Sequence, residues 1–182
     1  MIIMNSRHRL KHNAHASGRQ EGFTLVEVLI AVLVLLIGLL GLAGLQAQAL
    51  RSNQIAYMRT QATILAYDII ERMNANRAAA LAGSYDGAAG TQNTDCTSTT
   101  ACSSAAMAAN DVYEWRLAVK QSLPTPGAQG EALVCIDSTP DDGSDASSPA
   151  CDGVGSMYAA KIWWDDDKSG TLTGFYYTSF QP

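Results

Sequence analysis

Histidine is missing from the sequence beyond residue 15; His8, His12 and His15 are the whole complement, and all precede a long apolar run. If that leading stretch is removed, no His-based triad, imidazole general base or H-E-x-x-H metal site can be built. No G-x-S-x-G or Walker pattern appears either. The enzyme class therefore has no visible carrier, and the chain is expected not to be one. Positive charge is also scarce where a ligand would need it. Arg7, Arg9, Lys11 and Arg19 precede the apolar run, opposed there by Glu21. From Phe23 onward 8 Lys and Arg (12 less those 4) face 16 Asp and Glu (17 less 1), a net charge of −8. An acidic chain without a basic stripe lacks the phosphate-neutralising charge that supplies most non-specific nucleic-acid affinity, so nucleic acid is excluded as a partner.

Cysteine is sparse: Cys96, Cys102, Cys135 and Cys151 allow three pairings. The spacings C-x5-C and C-x15-C do not resemble zinc knuckles. With no histidine at hand, two local disulfides, Cys96 with Cys102 and Cys135 with Cys151, are the preferred reading and require an oxidising compartment. Free buried thiols are the alternative.

What the sequence does have is GFTLVEVLIAVLVLLIGLLGLAGL, residues 22–45. Residues 23–45 make ~34 Å of helix at ~1.5 Å per residue, enough to cross a hydrocarbon core of ~30 Å. Basic residues before it and acids beyond it place the N-terminus in the cytoplasm and the rest outside. Ala47-Gln48-Ala49 resembles a signal-peptidase site, but a signal h-region is only ~7 to 15 residues and would not contain Glu27. That carboxylate costs up to roughly 3 kcal/mol at mid-span and less near the interface, so it needs a purpose.

A short basic leader ending in Gly22, followed by Phe23-Thr24-Leu25-Val26-Glu27-Val28-Leu29-Ile30-Ala31, resembles the class III leader of type IV pilins. The resemblance implies cleavage between Gly22 and Phe23 by a prepilin peptidase on the cytoplasmic face, methylation of the new N-terminal residue, and retention of the apolar segment. It also implies that Glu27 pairs with the amine of an adjoining subunit. Two desolvated opposite charges hold each other only when correctly staggered, so the pair specifies register more than it adds stability. The chain departs from major pilins in lacking a helix-bending proline in this segment; Gly38, Gly41 and Gly44 stand there instead.

After the span, Leu50, Ile55, Met58, Ala62, Leu65, Ile69 and Met73 recur three or four apart. This predicts an amphipathic continuation of the helix to about Leu81, ended by Gly83. Gly, Thr, Asn and Ser then predict a loop to about Ser103. A second helix follows, capped by Ser103 or Ser104, with Val112, Trp115, Val119 and Leu123 on one face and Pro124 at its end. Residues 131–137, 157–164 and 171–180 predict an antiparallel sheet packed on the long helix. The aromatic cluster is expected to be mostly core, with exposure on the opposite face the alternative for Trp163, which alternates with Ile162 and Trp164. The acidic stretch TPDDGSDASSPACDG is expected to be solvated. Asp165, Asp167 and Ser169 match the opening of a calcium loop, but Tyr176 stands at the twelfth position, where a bidentate Glu is required. A solvated turn is the preferred reading and calcium the alternative; no cofactor is expected.

Ala101-Cys102-Ser103, Asn110-Asp111-Val112-Tyr113-Glu114-Trp115, Leu123-Pro124 and Lys161-Ile162-Trp163-Trp164 are similar in order to the PilV family of minor pilins. The fold implied is α+β: a type IV pilin fold with a long N-terminal transmembrane and amphipathic helix packed on a small antiparallel sheet. Its divisions are a removed leader (1–22), a transmembrane half-helix (23–45), an amphipathic half-helix (46–82) and a disulfide-bonded head (83–182). The implied function is a tip complex that, with other minor pilins, primes polymerisation of the major pilin and helps present a tip adhesin. The implied location is the inner membrane of a Gram-negative bacterium, with the head in the periplasm. A pseudopilin of a type II secretion system and a signal-anchored periplasmic sensor or enzyme are the alternatives.

Overall fold

The computed structural model describes residues 22–98 and 101–182. The basic leader expected over residues 1–21 lies outside them. The chain divides into two units, Met1–Gln46 and Ala47–Pro182.

In the first unit, residues 22–24 are non-helical and helix α1 (Leu25–Ala75) begins. No proline interrupts its apolar stretch, and leucine and alanine favour the helix. Gly38, Gly41 and Gly44 each cost about 1 kcal/mol relative to alanine in water. In lipid the helix persists, because every backbone polar group must be satisfied within the segment. The side chains from Leu25 to Leu45 are exposed throughout, and among the described residues α1 alone is long and apolar enough to cross a membrane.

In the second unit, the later part of α1 buries Met58, Ala62, Leu65, Ala66, Ile69, Ile70 and Met73, the three-and-four spacing of a single stripe. The helix does not run unbroken to Leu81. It stops at Ala75, and a short helix α2 (Arg77–Leu81) follows. The interruption falls at Asn76, whose side-chain amide donates to the Ser104 carbonyl at 2.8 Å and to the Tyr85 hydroxyl at 3.2 Å. Gly83, at φ +80°, then turns the chain in a conformation that costs other residues strain. After the 3₁₀ turn Thr94–Thr97, helix α3 (Ser104–Ser122) is capped by Ser103, whose hydroxyl accepts from the Ala106 amide at 3.2 Å. Pro124, which cannot continue a helix, follows its C-cap Leu123.

Strands β1 (Ala132–Ile136), β2 (Tyr158–Trp164) and β3 (Gly174–Phe180) form an antiparallel sheet in the order β1-β2-β3. The pairings Ala132↔Ile162↔Tyr176 and Ile136↔Tyr158↔Phe180 fix which side chains share a face. That face meets α1 and α3 in one core built around Trp115, Ile69, Met73, Val112, Ile162 and Trp164. Trp115 is fully buried, yet its indole N–H donates to the Leu65 carbonyl at 2.8 Å, so no polar atom is stranded. Gly174 lets β3 approach Trp164: a Cβ there would stand 2.1 Å from the indole Cε2.

The other face decides between the two readings of Trp163 and corrects one expectation. Trp163 is not exposed; it is buried with Leu133 and Cys135 and stacks on Phe175 at 5.3 Å between ring centres. Nor is the acidic stretch merely solvated. It folds over this face, with Ala146 and Cys151 packed on the small cluster. The physical reason is Lys161, whose side chain is fully buried: Asp137, just after β1, neutralises it, and Asp142 and the Pro149 carbonyl of this loop accept its remaining hydrogen bonds.

Candidate functional site

The residues singled out near the N-terminus lie together around the start of α1. Gly22 and Phe23 are exposed, Phe23 at 82%. A Cβ built on Gly22 would meet nothing within 4 Å, so the fold itself does not require glycine here. A requirement for glycine must come from whatever recognises this junction. Thr24 precedes the first helical residue. Its hydroxyl accepts from the Glu27 amide at 3.3 Å, and its carbonyl accepts from the Glu27 and Val28 amides at 3.1 and 3.3 Å. Thr24 and Glu27 thus stand in the T-x-x-E spacing of a capping box, with the threonine half visibly made. Glu27 is also the acid of the first turn. A carboxylate at that end of a helix gains about 0.3 to 1 kcal/mol from the helix dipole at exposed sites. Phe23, just ahead of the helix, borders one shallow recess with Glu27, Val28 and Ala31, so the junction residue and the acid lie on the same side.

The four cysteines form the disulfides Cys96–Cys102 and Cys135–Cys151. The first precedes α3, and the second ties β1 to the loop over the outer face of the sheet. Cys135 and Cys151 cluster with Asp137, but their sulfurs are bonded to each other and offer no thiolate to a metal.

Asp165, Asp167 and Ser169 meet in the turn between β2 and β3. Asp165 accepts from the Ser169 amide at 3.1 Å and, through its other oxygen, from the Gly170 amide at 2.7 Å. Asp167 accepts from the same Ser169 amide at 3.0 Å. These carboxylates organise the turn, in which Lys168 and Gly170 take positive φ.

Two polar clusters escaped the reading of the sequence. In the first, Arg72 on α1 meets Asp68 at 3.0 Å, Glu114 at 3.1 Å and Asp111 at 3.6 Å. The Tyr85 hydroxyl donates to Asp111 at 2.5 Å. Burial pushes the Asp111 carboxyl above its ordinary value, against the opposing pull of the Tyr85 hydrogen bond and the Arg72 charge. Burial and that same hydrogen bond push the Tyr85 phenol far up. Burial works against the Arg72 cation, but the Glu114 hydrogen bond and the Asp68 charge outweigh it, and its proton is held more tightly than usual. The cluster fastens α1 to α3. In the second cluster, Lys161 Nζ lies 2.5 Å from Asp137 and 3.0 Å from Asp142, and donates to the Pro149 carbonyl at 2.8 Å. These contacts hold the acidic loop down. Arg72 and Asp111 also border an open recess with Asn76, Ser104 and Met107, but there they are tied to each other and to Glu114 and Tyr85.

Residues 17–43 match the model of the prokaryotic N-terminal methylation motif, a span that contains Gly22, Phe23 and Glu27. Residues 44–113 match a family model described as Type IV pilin Tt1218. The two matches adjoin, and they meet within α1. No individual curated protein matches the chain, and no solved structure does. The two matches support a type IV pilin-like chain and a pilin-like role in a pilus or a secretion system. Pilins are structural subunits rather than enzymes. The methylation motif and apolar helix fit processing by a prepilin peptidase, anchoring in the inner membrane and assembly with other pilins.

Proposed function

We propose that the chain is a minor pilin of the PilV type, acting with other minor pilins in a tip complex that primes polymerisation of the major pilin and helps present a tip adhesin. The observation that carries the reading is the junction itself: an exposed Gly22-Phe23 bond ahead of a Thr24-capped helix whose first turn bears Glu27. Cleavage after Gly22 creates a positive amine on Phe23, one helical turn from that acid. In the membrane, Glu27 lies near the cytoplasmic interface, where water tempers its cost. Once helices pack together and water leaves, a bare carboxylate becomes expensive, and only a correctly staggered neighbour supplies the amine that offsets it. The exposed Leu, Ile and Val side chains of α1 exchange lipid for neighbouring helices at the same step. The work is done by association, with no bond made or broken by this chain.

The order of segments shared with PilV-type minor pilins supports the tip assignment. Its test is an in-frame deletion scored for fibres by electron microscopy and for secreted proteins in the medium, with gold labelling of a tagged chain. The proposal expects few or no fibres, normal secretion, and label at one fibre end. Lost secretion with normal fibres would make the chain a pseudopilin, and label along the whole shaft would remove it from the tip.

A further inference from the structure

The two edges of the sheet are finished differently. The free edge of β1 is covered: the Gly87 amide donates to the Val134 carbonyl at 2.9 Å, and the Ile136 amide donates to Asp86 at 2.7 Å. The free edge of β3 has no such cover. Among the described residues, the backbone of β3 makes hydrogen bonds to β2 and to nothing else.

Edge strands carry unpaired amides and carbonyls that template pairing with another chain, and monomeric proteins blunt them with lysine, proline, a bulge or a covering loop. β3 has none of the sequence devices. Its seven residues, GFYYTSF, contain no charge and no proline, and Tyr177 on it is 40% exposed. Near the Phe180 end, exposed Met157 and Val154 join Ser179 and Gln181 around a recess of about 340 Å³. A bare, uncharged, aromatic edge whose Phe180 end adjoins a recess of mixed lining, Met157, Val154 and Pro140 with Ser156 and Asp137, has the two parts of strand-addition recognition: backbone hydrogen bonds for affinity and a side-chain pocket for specificity.

We propose that β3 takes an added strand from a different subunit of the same assembly: an extended segment, uncharged over its pairing stretch and flanked by Lys or Arg. Charge selects this occupant. The turn that leads into β3 carries Asp165, Asp166 and Asp167 against a single lysine, Lys168, and the chain from Phe23 onward has a net charge of −8, from 8 Lys and Arg against 16 Asp and Glu. A second copy would bring the same acidity to the same edge, and like charges across an interface reject wrong partners. A basic flank beside the acidic turn removes that repulsion and sets the direction of the added strand. This inference rests on the reading of the chain as one subunit among other pilins.

The test uses the full chain in cells that make the rest of the assembly. A photoreactive residue is placed in turn at Phe175, Tyr177 and Ser179, which share the outer face of β3. The proposal expects all three to form adducts with one segment of one other subunit, at sites stepping by two residues, as side chains on neighbouring strands do. Ser179→Lys, at a position opposite Ala159 and not opposite the buried Lys161, should abolish the adducts from positions 175 and 177 while leaving leader cleavage and tryptophan fluorescence unchanged. Adducts to β3 of a second copy, adducts scattered over several segments, or no protein adduct in assembled fibres would overturn the proposal. Leader cleavage is scored in the same cells, so loss of the pilin reading itself is seen separately.

Discussion

Replacing Lys161 with Met keeps the bulk of a fully buried side chain and deletes its charge. The ammonium lies 2.5 Å from Asp137, whose side chain is also fully buried, and 3.0 Å from Asp142, which is about half exposed. Asp137 Oδ2 has no aligned hydrogen-bond donor, so its compensation is the charge of Lys161 alone. Without that charge, a buried carboxylate stands uncompensated, which costs roughly 3 to 5 kcal/mol. The same change frees the Pro149 carbonyl and lets the acidic loop lift. By contrast Asp142→Ala, at the exposed side of the pair, should cost no more than about 1 kcal/mol. The assay is denaturant unfolding of the full chain in detergent, followed by tryptophan fluorescence. Trp115, Trp163 and Trp164 are the only tryptophans, and all are buried in the second unit, so the signal reports that unit alone. The sharper form is a double-mutant cycle. Asp137→Asn removes the partner charge but keeps the oxygen that accepts from the Thr139 amide at 3.0 Å. Lys161→Met with Asp137→Asn should recover most of the loss, a coupling of about 2 kcal/mol or more. A Lys161→Met cost below about 1 kcal/mol, or simple additivity in the cycle, would refute the ion-pair argument.

Removing the Cys135–Cys151 disulfide by Cys135→Ala with Cys151→Ala should cost roughly 3 kcal/mol by the chain-entropy relation for a loop of this size, and limited proteolysis should then cut between residues 137 and 157. At alkaline pH the second unit should weaken: burial, with Asp111 for Tyr85 and Asp86 for Tyr158, raises both phenols above the ordinary 10.0. Their contribution is therefore complete below pH 10.0 and lost as pH rises through the folded-state values. Phenolate absorbance should show Tyr85 and Tyr158 titrating late, together with unfolding; either of these two phenols titrating near pH 10.0 in the folded protein would contradict this. Glu27→Gln keeps size and removes charge, so insertion and leader cleavage should persist while assembly falls; wild-type fibres from that variant would end the pairing hypothesis.

The elements that were legible in the sequence are those whose signals are local. Ser103 as a cap, Val112-Trp115-Val119 as a face and Pro124 as a stop place α3 where it is found. The alternation through Tyr158-Ala159-Ala160-Lys161-Ile162 likewise places β2. What escaped depends on residues distant in the chain. Nothing near Asn76 announces a break, because the atoms that hold its side chain belong to Tyr85 and Ser104. Lys161 alternates as a strand residue should, but whether its face is wet or dry is decided by a loop that Cys151 ties to β1. The T-x-x-E spacing of Thr24 and Glu27 is, by contrast, a local signal that marks the cap and puts Glu27 at the third helical position.

The account turns on the bond between Gly22 and Phe23, and the mass of the native protein's N-terminal peptide reads that bond directly. Isolated from cells with a working prepilin peptidase, the chain should begin at Phe23, with a methyl group on its amine, and Gly22→Asp should leave the leader attached. An intact N-terminus at Met1, or a chain beginning after Ala49, would contradict the account.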